Sequence, residues 1–464
     1  MAEKNVVHAY IDSNRERFMT ELFEFLRLPS VSAKSEHRED SRKTAEWVAS
    51  KMTAAGLEVS MHDTPGHPIV LGEWRKAGSG APTVLIYGHY DVQPVEPLEL
   101  WTSPPFEPVI RDGRIYGRGS VDDKGQLYLH VKAIEAHLQA NGTLPVNVVM
   151  VAEGEEEIGS ENLMPFVEKM KDRLKCDAVV ISDTTMVAAG MPTIGASLRG
   201  LAYFEIHVQG PAGDLHSGSY GGAVLNPATA LSRIIATFHD ENWHIAIDGF
   251  YDDVDAAPEF RDSMKRVPNQ DAAFLADSGS PALVGEKDYT TLERVWLRPT
   301  CEVNGLLSGY TGEGSKTVLP SKAMAKVSFR LVPDQDPRRI YDLLKKHVAK
   351  VAPAGVTVRV DELHGGNPWR AKIEGPLYEA AARALEHAWS EKIVYAGEGG
   401  SIPIVSEFEK VLGAPVLLMG FGLPGENAHA PNEWMSVENY EKGTHAAAAL
   451  LTELASSAAP SSRQ

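Results

Sequence analysis

Five places in the chain carry residue types that hold divalent cations or move protons: His89 with Asp91, Asp122, the triplet Glu155-Glu156-Glu157, Asp183 and His429. His89 and Asp91 follow an apolar run and Gly88. On an extended backbone their i, i+2 spacing turns both side chains to one face. A histidine beside a carboxylate at the end of a strand suits a metal ligand oriented by an acid. It also reads as a polar strand end followed by turn residues. Each of the other places has an equally plain reading by itself. Asp122-Asp123 can cap a following helix, and the glutamate triplet can be a solvated acidic turn. Asp183 can be an N-cap and His429 a loop residue. Hard and borderline cations take carboxylate and imidazole ligands, and two adjacent cations call for a carboxylate between them.

What unites these residues is the set of elements that must position them. Four apolar runs, 84–87, 147–152, 177–181 and 414–419, lead into His89 and Asp91, the glutamate triplet, Asp183, and a glycine-rich loop ending at His429. Helical periodicity marks 9–28, where Ile11, Phe18, Leu22, Phe25 and Leu26 form an apolar stripe. Further helices are expected over 40–55, closed by Gly56, over 126–138 and over 377–389. Strands are expected over 57–61 and 69–74, joined through Pro65-Gly66, with His67 an ordinary loop histidine. Alternating strands and helices predict an α/β domain with a mostly parallel sheet and helices on both faces. Such sheets bind ligands outside the carboxyl ends of their strands, the edge to which all four runs bring acids or histidines.

Between the third and fourth runs the pattern changes. Strands over 201–209, 302–307, 324–331 and 356–363 and helices over 226–239 and 337–351 give the order β-α-β-β-α-β. That order predicts a ferredoxin-like unit inserted into the first domain. The expected division is 1–198 with 370–464 for the discontinuous first domain and 199–369 for the insert. The acid- and proline-rich stretch 240–293 yields no element, and the small, polar tail 456–464 is expected to be disordered.

Composition narrows the function classes. The 464 residues carry a formal charge of −18 and are 43% hydrophobic. This acidity argues against nucleic-acid binding, and no apolar run reaches membrane-spanning length. Cys176 and Cys301 alone allow neither a disulfide framework nor a cysteine-rich zinc site. The first 28 residues are charged throughout without a signal-type apolar core, so a cytoplasmic location is expected.

The strings Gly88-His89-Tyr90-Asp91-Val92-Gln93-Pro94, Tyr116-Gly117-Arg118-Gly119-Ser120-Val121-Asp122-Asp123-Lys124-Gly125 and Glu153-Gly154-Glu155-Glu156-Glu157-Ile158-Gly159-Ser160 resemble the M20 metallopeptidase family, and within it the dipeptidase branch. Asp214-Leu215-His216-Ser217-Gly218, Arg330-Leu331-Val332-Pro333 and Gly399-Gly400-Ser401-Ile402-Pro403 resemble it further, in the expected order. The resemblance implies two divalent metal ions per subunit, zinc foremost, with manganese or cobalt as alternatives. It implies that His89 and Asp183 bind one ion, Glu157 and His429 the other, and that Asp122 bridges them. Asp91 would orient His89, and Glu156 would be the general base acting on a water shared by the ions. The peptide after the bridging aspartate, Asp122–Asp123, would be cis.

The resemblance also makes the insert a lid and dimerisation domain of a homodimer. From it His216 would reach the partner's active site to stabilise the oxyanion. Arg330 would pair with the substrate's C-terminal carboxylate, and the loop with Gly400 and Ser401 would offer groups to the substrate. The activity so implied is hydrolysis of dipeptides or short peptides with a free carboxyl end. A carboxypeptidase or an N-acyl-amino-acid deacylase shares the same centre. A non-catalytic scaffold would be expected to have lost Glu156 or a ligand, and none is lost. The departure is Gly397, where the dipeptidase branch usually has arginine.

Overall fold

The four apolar runs form the parallel centre of one nine-stranded sheet. The computed structural model describes residues 6–78, 80–255, 259–400 and 402–458. The strands are β1 (Glu58–His62), β2 (Ile69–Trp74), β3 (Thr83–His89), β4 (Asn147–Glu153), β5 (Ala178–Ile181), β6 (Thr193–Leu198), β7 (Trp369–Arg370), β8 (Val394–Glu398) and β9 (Val416–Leu418). Their order is β1-β2-β4-β3-β5-β9-β6-β7, with β8 pairing β6. The pairs β4–β3, β3–β5 and β5–β9 are parallel, so His89, Glu153 and the residues after β5 and β9 emerge on one edge. Antiparallel strands β1 and β2 extend one side, and β9 meets β6 antiparallel on the other.

Consecutive residues of β3 show why both faces are covered. Tyr87 packs edge-on against Phe408 of the helix Pro403–Leu412. The next position, Gly88, faces Leu127 of the helix Lys124–Asn141, where an added Cβ would come within 2.8 Å of it. Neighbours on a strand point to opposite faces, so the two helices lie on opposite sides. The helix Lys124–Asn141 is buried along most of its length, because the helices Val6–Leu26 and Val437–Ala458 pack over it in turn. Lys132 is buried there between Glu21 and Glu135, at 2.5 and 2.6 Å. A buried ammonium needs such paired acceptors.

The inserted region forms a four-stranded antiparallel sheet in the order Thr300–Ser308, Lys322–Leu331, Gly200–Gln209, Thr357–Gly366. The helices Pro227–Ile235 and Pro337–Val351 cover one face, burying Phe204, Ile206, Leu231, Ile234, Ile340 and Leu344 in a core separate from that of the large sheet. Each helix is capped by the side chain before its first proline, Asn226 and Asp336. On the opposite face Glu205 and His207 meet Lys326 and Asp361 in half-buried ion pairs.

Three local expectations are corrected. The helix expected over 226–239 stops at Ile235. The tail expected to be disordered from residue 456 is helical as far as Ala458. Leu450, Leu451 and Leu454 are buried there, and the hydroxyls of Ser456 and Ser457 donate back to the carbonyls of Thr452 and Glu453. Residues 459–464 lie outside the described residues. The unread stretch 240–293 holds the helices Arg261–Met264 and Asp271–Ser278, and the helix Thr291–Trp296 follows. This segment leans on the large sheet. Phe260, Met264 and Leu297 bury against Ala196 of β6, and the Ser263 hydroxyl donates to the Tyr395 carbonyl of β8 at 2.6 Å. Such short helices lack a periodic signature, although the Thr290/Glu293 capping box before Thr291–Trp296 was there to be read.

Candidate active site

His89 ends β3 fully buried, and its two ring nitrogens face different acids. Nδ1 lies 3.3 Å from Asp91 Oδ1 and 3.1 Å from the Asp91 carbonyl oxygen. Nε2 lies 3.1 Å from Asp122 Oδ1 and 3.6 Å from Asp183 Oδ2. The other oxygen of Asp122, Oδ2, lies 2.8 Å from His429 Nε2, which is 3.2 Å from Glu157 Oε2. Asp122 therefore stands between two clusters, His89–Asp122–Asp183 and Asp122–Glu157–His429, each gathering its three donor atoms within 4.8 Å. Nitrogen and carboxylate oxygen, three donors to a cluster with one carboxylate common to both, form a donor set that fits two borderline divalent cations.

The electrostatics agree with a site built for cations. Burial would lower the His89 pKa, but Asp122, Asp183 and Asp91 raise it well above its usual value. Asp122 and Glu157 push His429 up to about 10. Burial alone would raise Asp122, yet His429 and His89 hold it below the usual carboxylate range. Glu156 behaves differently. Burial, reinforced by Asp183, Asp122 and Glu157, pushes it up to about 8.

The backbone around these groups is closely fitted. The amides of Glu156 and Glu157 donate to the two oxygens of Asp91, at 3.2 and 3.1 Å. The peptide Asp122–Asp123 is cis. Asp123 directly precedes the helix Lys124–Asn141, and its side chain accepts the His89 amide at 3.1 Å. That contact needs Gly88, because a Cβ there would lie 2.7 Å from Asp123 Oδ2. Likewise, a Cβ at Gly154 would overlap the Tyr90 ring at 2.4–2.6 Å. His429 sits in a loop where Asn427, His429 and Asn432 all adopt left-handed backbone, at φ 57°, 63° and 61°. This conformation is uncommon outside glycine. Asn432 fastens the loop by accepting the Thr102 amide and donating to the Leu100 carbonyl, both at 2.7 Å.

Two supporting residues were given no role by the sequence reading. Glu433, fully buried, accepts from Arg118 at 2.7 Å and from the amides of Gly119, Val121 and Asp122 at 3.0–3.2 Å. It holds the loop that presents Asp122. Gln93 donates to Glu157 Oε2 at 2.7 Å and so fixes that carboxylate.

A cavity of about 470 Å³ opens over the clusters, lined by Asp122, Glu156, Asp183, His429, Glu398 and Gly400 among others. Arg330 and His216 do not line it. Arg330 lies on the inserted sheet, close enough to Arg199 to lower that residue's pKa after burial has done so. Arg199 in turn donates to the Gly399 carbonyl at 3.0 Å. His216 is exposed at the start of the short helix Ser217–Tyr220, its Nδ1 accepting the Ser219 amide at 3.2 Å. Ser401 lies outside the described residues.

Residues 85–453 match peptidase family M20/M25/M40, and with this fold and these clusters the chain belongs to that family of metal-dependent peptidases. It is 34% identical to the Cys-Gly metallodipeptidase dug1 of Schizosaccharomyces pombe, over 97% of this chain and 98% of that protein. Two solved structures superpose with a TM-score of 0.80. Human carnosine dipeptidase 1 is 29% identical, with 97% of this chain and 98% of that one covered. The metallo-carboxypeptidase Sso-CP2 of Sulfolobus solfataricus is 34% identical, with 94% and 99% covered. No helix among the described residues is long and apolar enough to cross a membrane.

Proposed function

We propose that this protein is a dipeptidase that holds two divalent ions per subunit, zinc foremost, and hydrolyses dipeptides or short peptides with a free C-terminal carboxylate. The observation that carries this reading is Asp122, whose two oxygens face His89 and His429 while Asp183 and Glu157 complete the two clusters. His89 and Asp183 would hold one ion and Glu157 and His429 the other, with Asp122 shared. Ions bound there supply Lewis acidity and bring the pKa of a water towards neutrality.

The remaining work falls to the chain's own groups. Glu156 stands free of both clusters, and its raised pKa suits a carboxylate that accepts a proton near neutral pH. It takes the proton of the attacking water and gives it to the leaving nitrogen as the C–N bond breaks. Asp91 fixes His89 and, through two amides, the segment carrying Glu156. Arg330 would pair with the terminal carboxylate, and Gly400 and Ser401 would contact the substrate from the loop over the cavity. His216 would come from a second copy and donate to the oxygen where charge develops.

In this reading the chain divides into 1–198 with 370–464 and the insert 199–369, which the two separate cores support. It works as a cytoplasmic homodimer joined through the insert. Exposed Leu306 and Leu307 on the edge strand Thr300–Ser308 support such a contact. The likeness to a metallo-carboxypeptidase supports a second reading, removal of one C-terminal residue from longer peptides.

One assay separates the two. Protein stripped by a chelator and reloaded with zinc, manganese or cobalt is offered dipeptides, tetrapeptides and N-acyl amino acids. Preferred cleavage of dipeptides is expected. Preference for tetrapeptides would favour the carboxypeptidase, and preference for N-acyl amino acids a deacylase.

A further inference from the structure

A second cavity, of about 230 Å³, lies beside the catalytic one and shares Thr184, Thr185, Glu398 and Pro424 with its lining. Its far wall comes from two short helices of the inserted region. Phe274 of the helix Asp271–Ser278 and Leu292, Val295 and Trp296 of the helix Thr291–Trp296 face Met186 and Val187 across it. This wall touches the strand and loop that enter the catalytic cavity. A Cβ at Gly397 would lie 2.7 Å from Trp296 Cβ, and one at Gly399 would lie 2.9 Å from Val295. Trp296 thus occupies the space that a side chain at 397 would need. The wall is anchored by the Thr290 capping box and by Arg261, whose Nε lies 2.6 Å from Glu293.

Among the described residues, no lysine, arginine or histidine lines this cavity. Its charged groups are Asp277, exposed, and Glu398, whose carboxyl is already hydrogen-bonded by Thr185 and the Gly399 backbone. An acidic side chain would find no counter-charge there, whereas an apolar one would meet leucine, valine, methionine and aromatic surfaces. The volume is below the roughly 300–1,000 Å³ of whole-ligand pockets and suits one side chain.

We infer that this cavity is a specificity pocket for one bulky apolar side chain of the peptide substrate, with Trp296 and Phe274 as its determining residues. The inference rests on the peptidase reading above for its substrate class.

The test uses the metal-loaded protein and two dipeptide series, Gly-X and X-Gly, with X alanine, leucine, phenylalanine, aspartate or lysine. At one of the two positions, kcat/KM for leucine or phenylalanine should exceed that for aspartate and for lysine by roughly tenfold or more, the scale of discrimination by apolar pockets. Ala273→Trp, on the exposed face of its helix and at the cavity wall, should fill the space. It should lower the phenylalanine-to-alanine ratio at that position by roughly tenfold.

A second readout needs no turnover. The fluorine resonance of free L-4-fluorophenylalanine should broaden with the wild-type protein and sharpen with Ala273→Trp. Unchanged ratios, a preference for lysine or aspartate, or no broadening would overturn the pocket. Broadening that Ala273→Trp removes, in a protein that cleaves no dipeptide, would uphold the pocket and defeat the dipeptidase reading instead.

Discussion

Asp91 ties His89 to Glu156. One carboxylate lies 3.3 Å from the imidazole Nδ1 and accepts the amide of Glu156 at 3.2 Å, while its second oxygen accepts the amide of Glu157 at 3.1 Å. A fully buried acid thus sets the histidine of one cluster, the carboxylate of the other and the free glutamate between them. Buried charges persist where their acceptor sites are filled in this way.

Glu156 and Glu157 are adjacent but should fail differently. Glu156→Gln should retain metal and bind substrate while losing roughly 10²–10⁴-fold in turnover, the contribution of a general base. Glu157→Gln should lose metal from the cluster it shares with His429. Metal content measured with steady-state kinetics checks both, and exchanged phenotypes would reverse the two assignments.

Metal binding should release protons. In protein stripped of metal, Asp122 and Glu157 push His429 up to about 10, so that imidazole is protonated at pH 7, and Asp122, Asp183 and Asp91 push His89 in the same direction. Ligation requires the neutral ring, so the site with His429 must expel a proton before it binds. Zinc affinity should therefore fall as the pH is lowered. Calorimetry in buffers of different ionisation enthalpy should report net proton release at pH 7, and an enthalpy independent of buffer would contradict the arrangement.

Glu433→Ala should destabilise the fold and loosen the loop that carries Asp122. It leaves Arg118 buried without its carboxylate and frees three backbone amides. Removing one partner of a buried pair costs about 3–5 kcal/mol. Urea unfolding should show a loss of that order together with weaker zinc retention, because the same amides hold the Asp122 loop. A midpoint equal to wild type would show that the loop does not depend on Glu433.

His216 gives a test by mixing. His216→Ala and Glu156→Gln homodimers should each be nearly inactive, the former by roughly 10²–10³-fold if it supplies an oxyanion donor. After subunit exchange, a heterodimer would carry one site with both defects and one intact, and activity should partly return. No recovery, with exchange shown by light scattering or labelled subunits, would place the histidine's action within its own chain.

The sequence by itself determined the sheet centre and the chemistry along its edge. Apolar runs long enough for one strand, each ending in an acid or histidine, leave few options once helices separate them: the strands must be parallel and their ends must share an edge. The β-α-β-β-α-β order of the insert was legible too, because its strand Gly200–Gln209 alternates cleanly and its helices carry strong caps. Only the tertiary structure decided which oxygen of Asp122 faces which histidine. It alone brought Glu433 to the Asp122 loop from 311 residues away. It also set Trp296 against Gly397, through a wall of short helices held by contacts with the large sheet. The physical reason is the same in each case. Periodicity reports which face of an element is buried, while a single carboxylate or a one-turn helix takes its place from partners distant in sequence.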